Sequence, residues 1–104
     1  MTKARAFFAY VAWQPCVIPG CREQPEVAHV MGVLSHKTGQ PLTRRSGAAH
    51  VCVVPCCAAH HRTARNSLHE LGERGFEAHH GMPVFHLQRV ALTLLAQYVL
   101  EGTR

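Results

Sequence analysis

The chain has 104 residues, 47% of them hydrophobic and 16% charged, enough for one domain with a modest core and too few for a multidomain enzyme. Eleven Lys and Arg against six acids give a net charge of +5, a balance suited to polyanions such as nucleic acid. All six acids are Glu (Glu23, Glu26, Glu70, Glu73, Glu77 and Glu101), so a hydrolase that clamps two metal ions between clustered carboxylates has little to build with, and a catalytic metal must lean on histidine.

Lys3 and Arg5 precede an apolar run over residues 6–13 that loosely resembles a secretory signal, but the run is short and lacks a small-x-small cleavage site. Residues 4–13 combine high helix propensity with no breaker and predict a short helix, with Phe7, Phe8, Tyr10 and Trp13 partly buried. Gln14-Pro15-Cys16-Val17-Ile18-Pro19-Gly20-Cys21 then sets two prolines and a glycine around two thiols, the composition of a tight turn that brings both sulfurs to one point. Residues 27–33 are apolar and β-branched and predict a strand carrying His29.

Residues 35–49 contain Gly, Pro, Ser and Thr with His36, Lys37, Arg44 and Arg45 and no acid, which predicts a basic loop. Residues 51–54 have strand composition up to Pro55, so the two strands are expected to pair across that loop as an antiparallel hairpin. Residues 57–65 have helical composition, with Asn66-Ser67 offering an end or a fresh cap. Residues 68–80 read as helix up to Gly81, although Gly72 and Gly75 within it are weak helix formers. Val84, Leu87, Val90, Ala91, Leu94, Leu95, Tyr98 and Val99 recur at three- and four-residue spacing and predict an amphipathic helix over 84–100. That stretch is too short and too polar to span a bilayer. The expected class is α+β, a single domain over 1–104.

Five Cys and nine His are many for so small a chain, and a small core commonly needs a staple. An odd cysteine count beside many imidazoles suits zinc in a reducing compartment, hence the cytoplasm, better than a secreted disulfide framework. Cys16-x4-Cys21 and Cys57-x2-His60, separated by 35 residues, make a three-thiolate, one-imidazole zinc set. Cys56 rivals Cys57 at x3 spacing to His60, and Cys52 reads as a core thiol of the second strand. Neither a two-Cys, two-His finger nor the His-x-Glu and Pro-Cys-x-x-Cys strings of zinc deaminases occur.

The ordered set of a Cys pair, Ala28-His29-Val30, a basic loop, Val54-Pro55-Cys56-Cys57-Ala58-Ala59-His60-His61-Arg62 and Asn66-Ser67-Leu68-His69 resembles the HNH endonucleases. It looks most like their small zinc-bearing phage and prophage members, over about residues 10–81 and including Gly75-Phe76-Glu77-Ala78-His79-His80-Gly81. The resemblance implies a ββα-metal core with one divalent cation, a DNA substrate, His29 as general base, His61 at the middle position and His69 as a metal ligand. Where many relatives carry an acid or a second His before the base, this chain has Ala28. Where some relatives carry an acid just before the second strand, this chain has Ala48, Ala49 and His50, with His50 the candidate substitute; the cation otherwise falls to His61, His69, waters and the substrate phosphate, with Mn²⁺, Ni²⁺ or Zn²⁺ suiting imidazole better than Mg²⁺. Phosphodiester hydrolysis by an imidazole base and a cation follows from the resemblance and is chemically coherent.

Lys37, Arg44 and Arg45 in the loop, with Arg62 and Arg65 after it, are the expected phosphate contacts. His79 and His80 are expected near the site or at the surface. Two other functional classes are compatible with the sequence: a non-catalytic zinc module that binds DNA or protein, and an accessory subunit of phage DNA packaging or recombination. The apolar C-terminal helix offers a face for a homodimer.

Overall fold

A computed structural model describes residues 3–30 and 52–102. The elements in chain order are helix α1 (Lys3–Ala12), strand β1 (Pro25–His29), strand β2 (Val53–Cys57), a single π-helical turn (Ala59–Thr63), helix α2 (Leu68–His79) and helix α3 (His86–Gly102). The class is α+β, with one two-stranded antiparallel sheet in which Glu26 pairs with Cys56, Val27 with Pro55, Ala28 with Val54 and His29 with Val53. The loop over 35–49, with Lys37, Arg44 and Arg45, lies outside the described residues, as do the ends of both strands expected within 31–51 and His50.

Alternation along the strands gives the hairpin two apolar faces. Ala28, Val30, Cys52, Val54 and Cys56 pack with Leu68 and Phe76 of α2 and with Leu87 and Ala91 of α3. On the opposite face Val53 packs with Phe7 and Val11 of α1 and Leu94 of α3, joined by Val27, Phe8 and Tyr98. Every residue of β2 is consequently buried, which is why Val-Val-Pro-Cys-Cys shows no polar alternation.

The second strand does not stop at Pro55. It runs through the proline to Cys57. The Pro55 carbonyl accepts the Val17 N–H at 2.8 Å from the side away from β1. In an antiparallel strand the N and C=O of one residue face the same way, so the missing N–H falls on the edge and breaks no ladder bond. The Cys16 to Cys21 turn covers that edge. Its Cys21 N–H donates to the Ile18 carbonyl at 3.1 Å, and Gly20 takes φ of 81°, the positive value a Pro-Gly type II turn requires.

Helix α2 starts at a Ser67 cap whose hydroxyl accepts the Glu70 N–H at 3.3 Å. Gly72 adopts φ 70°, ψ 170° and kinks the helix, so the element expected over 68–80 is two helical segments joined at a kink. Beyond His79 the helix is closed by bonds from the Gly81 N–H to the Ala78 carbonyl and from the Met82 N–H to the Glu77 carbonyl, a Schellman arrangement with Gly81 at positive φ. Leu87, Ala91 and Leu94 form the inner face of α3, whereas Val84, Leu92, Val99 and Leu100 are exposed. Trp13, expected to be partly buried, is 87% exposed, because α1 ends at Ala12 and the chain turns away from the core there. Among the described residues no helix is long and apolar enough to cross a membrane.

Candidate metal centre and histidine cluster

Three segments deliver one donor set. The edge turn supplies Cys16 and Cys21, the end of β2 supplies Cys57, and the π-helical turn supplies His60, with all four ligand atoms within 4.8 Å of one another. Cys21 Sγ lies 3.8 Å from Cys57 Sγ, Cys57 Sγ lies 3.1 Å from His60 Nδ1, and Cys16 Sγ lies 3.9 Å from the same nitrogen. Ligand bonds of about 2.0–2.3 Å in a tetrahedron put neighbouring donors roughly 3.3–3.8 Å apart, so these four residues lie close enough to bind a metal such as zinc. Burial, followed by the nearby His80, holds His60 below the ordinary imidazole range and favours the neutral form a metal ligates.

The rivalry between the adjacent cysteines is resolved by strand alternation. Cys57 Sγ reaches Cys21 and His60, and its N–H faces the covered edge and donates to Cys16 Sγ at 3.4 Å, whereas Cys56, on the opposite face, is fully buried in the apolar core. Burial pushes the Cys56 thiol strongly upward, and burial also raises Cys52, which packs in the same core. All five cysteines are free.

The π-helical turn closes through the Ala64 N–H donating to the Ala59 carbonyl at 3.0 Å. It carries two consecutive histidines that serve different neighbours. His60 faces the thiols, while His61 Nδ1 lies 2.8 Å from Glu26 Oε1 on β1 and its ring sits 4.5 Å, centroid to centroid, from that of His69 on α2. The His61 side chain is 13% exposed. Arg62 Nε donates to the same Glu26 oxygen at 2.7 Å and its NH2 group to the other oxygen at 3.3 Å. The Arg62 bond, and then the His61 bond, hold the Glu26 carboxyl below the usual carboxylate range.

The structure brings His61 and His69 together and places His29 elsewhere. His29 is exposed at the end of β1, and its ring meets Phe8 of α1 edge-on at 5.8 Å. By strand alternation it shares the α1 face with Val27, whereas Glu26 shares the opposite face with Ala28 and Val30. Arg65 is exposed. His80 packs its ring 5.6 Å from that of His60 and donates through Nε2 to the Asn66 carbonyl at 3.3 Å, and Asn66 Nδ2 lies 3.5 Å from His79 Nε2.

Comparison with protein-family models, curated proteins and solved structures finds no match. The site therefore stands on its own residues. Glu26 is absent from the expected site residues, because the position directly before His29 is Ala28, and the acid two residues earlier falls on the same strand face as Ala28. A three-residue offset between Glu26 and His29 was the available signal, since it separates the two across the sheet.

Proposed function

We propose that the chain is a zinc-stapled, metal-dependent DNA endonuclease of the HNH type. Cys16, Cys21, Cys57 and His60 would hold the structural zinc, and the donor set fits it: three soft thiolates and a neutral imidazole, two of the thiols buried, on three separate segments. His61 and His69 would hold the divalent cation, and two imidazoles suit Mn²⁺, Ni²⁺ or Zn²⁺ better than Mg²⁺. Such a cation supplies charge neutralisation at the phosphate and the leaving oxygen.

The observation that carries this reading is the approach of the His61 and His69 rings to 4.5 Å, with His61 next in sequence to the candidate zinc ligand His60. Because His61 follows His60, fixing one imidazole at the thiols fixes where its neighbour stands. The order of hairpin, turn and helix supports a ββα-metal core in the same way. The resemblance implies His29 as the general base, a role that needs hydrogen-bond reach of the attacking water, and its place on the α1 face of the sheet sets it apart from His61 and His69. Lys37, Arg44, Arg45, Arg62 and Arg65 would contact phosphates of the DNA.

A second reading, a non-catalytic zinc module binding DNA or a partner, is favoured by the position of His29 across the sheet from His61. Plasmid nicking by zinc-loaded protein across a panel of divalent cations separates the two. Nicking that depends on an added cation and is abolished by His61→Ala supports the endonuclease. DNA binding without cutting under every cation supports the module.

A further inference from the structure

We infer that Glu26 is a positioning residue that fixes the tautomer and orientation of His61. A carboxylate only accepts hydrogen bonds, so the 2.8 Å contact requires a proton on His61 Nδ1, and the neutral ring that a metal ligates then carries its lone pair at Nε2, directed away from Glu26. Nδ1 and Nε2 lie on opposite sides of the ring. One contact therefore selects the tautomer and aims the other nitrogen.

The two residues come from elements of unequal rigidity, which gives the contact its direction of action. Glu26 is held in the sheet by pairing with Cys56, whereas His61 stands on a single five-residue turn. Arg62 grips both carboxylate oxygens from the other side. That grip stops Glu26 rotating and balances its charge, so the site gains an oriented acceptor without a net negative charge. Carboxylates that accept the far N–H of a ligating imidazole commonly act in this way.

The consequence for cation binding rests on the proposed endonuclease reading, whereas the tautomer does not. The test uses the full zinc-loaded chain, its Glu26→Gln, Glu26→Asp and Arg62→Ala variants, and Mn²⁺ as the probe. Long-range proton–nitrogen NMR, with His61 assigned by comparison with His61→Ala, should show a single Nδ1–H tautomer in the wild type. Glu26→Gln presents a donor as well as an acceptor, so it should mix the tautomers and weaken Mn²⁺ affinity by about 10- to 100-fold. In any cutting that is measured, kcat should fall while KM changes little. Glu26→Asp should recover most of the affinity, and Arg62→Ala should keep the tautomer.

A wild-type His61 in the Nε2–H form would overturn the proposal, and that result needs no variant to fold. So would a Glu26→Gln protein with unchanged tautomer and Mn²⁺ affinity, which would leave Glu26 as an ion-pair partner for Arg62 alone. If the wild type cuts no DNA under any cation, the endonuclease reading fails, and the NMR and Mn²⁺ titrations still decide the role of Glu26.

Discussion

Cys57 Sγ and His60 Nδ1 stand 3.1 Å apart although one ends a strand and the other begins a turn. That proximity ties the hairpin to the segment leading into α2, and Cys16 and Cys21 tie the edge turn to the same point. A structural zinc in a small domain contributes on the order of 10 kcal/mol of apparent binding energy, comparable to the whole stability of such a fold. Elemental analysis should find one zinc bound at this cluster. Cys21→Ala should lose that metal or unfold, whereas Cys56→Ala should keep it. Zinc-free folded protein would dismiss the assignment.

Glu77 is 1% exposed yet carries a carboxylate, and its partners explain why. It accepts the Phe85 N–H at 3.2 Å and the Leu87 N–H at 3.0 Å, satisfying donors at the start of α3, and Arg74 Nε lies 3.1 Å away. It thereby caps one helix from another. Glu77→Ala should cost on the order of 2 kcal/mol, the sum expected for a lost cap and charge-assisted bonds. Urea unfolding should show a lower midpoint with an unchanged slope, and an unchanged midpoint would contradict the capping role.

Tyr10 on α1 is held above the usual phenol range, first by burial and then by the charge and hydrogen bond of Glu101 on α3. A raised acid pKa means that folding favours the neutral phenol. Its contribution is complete below about pH 10, the unfolded value, and is lost as pH rises through the folded value. Thermal stability should therefore fall above about pH 10 more steeply in the wild type than in Tyr10→Phe. Equal slopes would show that the contact does not couple the two helices.

Most elements were legible because their signals are local. The 3.6-residue periodicity of α3, the Pro-Gly turn between Cys16 and Cys21, and the Ser67 cap each depend on residues close in sequence, and they appear within two or three residues of expectation. Pro55 ends the second strand in the sequence pattern, whereas the strand runs through it because the register with Val27 turns its nitrogen to the outer edge, a placement that only the pairing with a distant strand sets. The choice of Cys57 over Cys56 likewise waited on the strand register. Glu26 was missed for the same reason: its partners, His61 and Arg62, are brought to it only when the hairpin closes.

Salt dependence should sort the basic residues. Arg62 is already matched by Glu26, whereas Arg65 is exposed on the same turn region. Each phosphate neutralised contributes about 0.9 to the fall of log affinity with log salt. Replacing Arg44 and Arg45 together should flatten that slope by roughly one to two, and Arg65→Ala should flatten it more than Arg62→Ala. A slope indifferent to all of them would remove these residues from the DNA surface and favour a protein partner.

The separation of His29 from His61 across the sheet makes their variants distinguishable. If His29 is the base, His29→Ala should lower cutting by about 10²-fold or more, with DNA affinity nearly unchanged, because a base acts on water and not on the bound duplex. Loss of a cation ligand behaves differently. His69→Ala should weaken divalent-ion affinity, so excess Mn²⁺ should restore part of its cutting and should restore none in His29→Ala. Cutting by His29→Ala at the wild-type rate would dismiss the base assignment, and His69→Ala with unchanged Mn²⁺ affinity would take the cation away from the His61 and His69 pair.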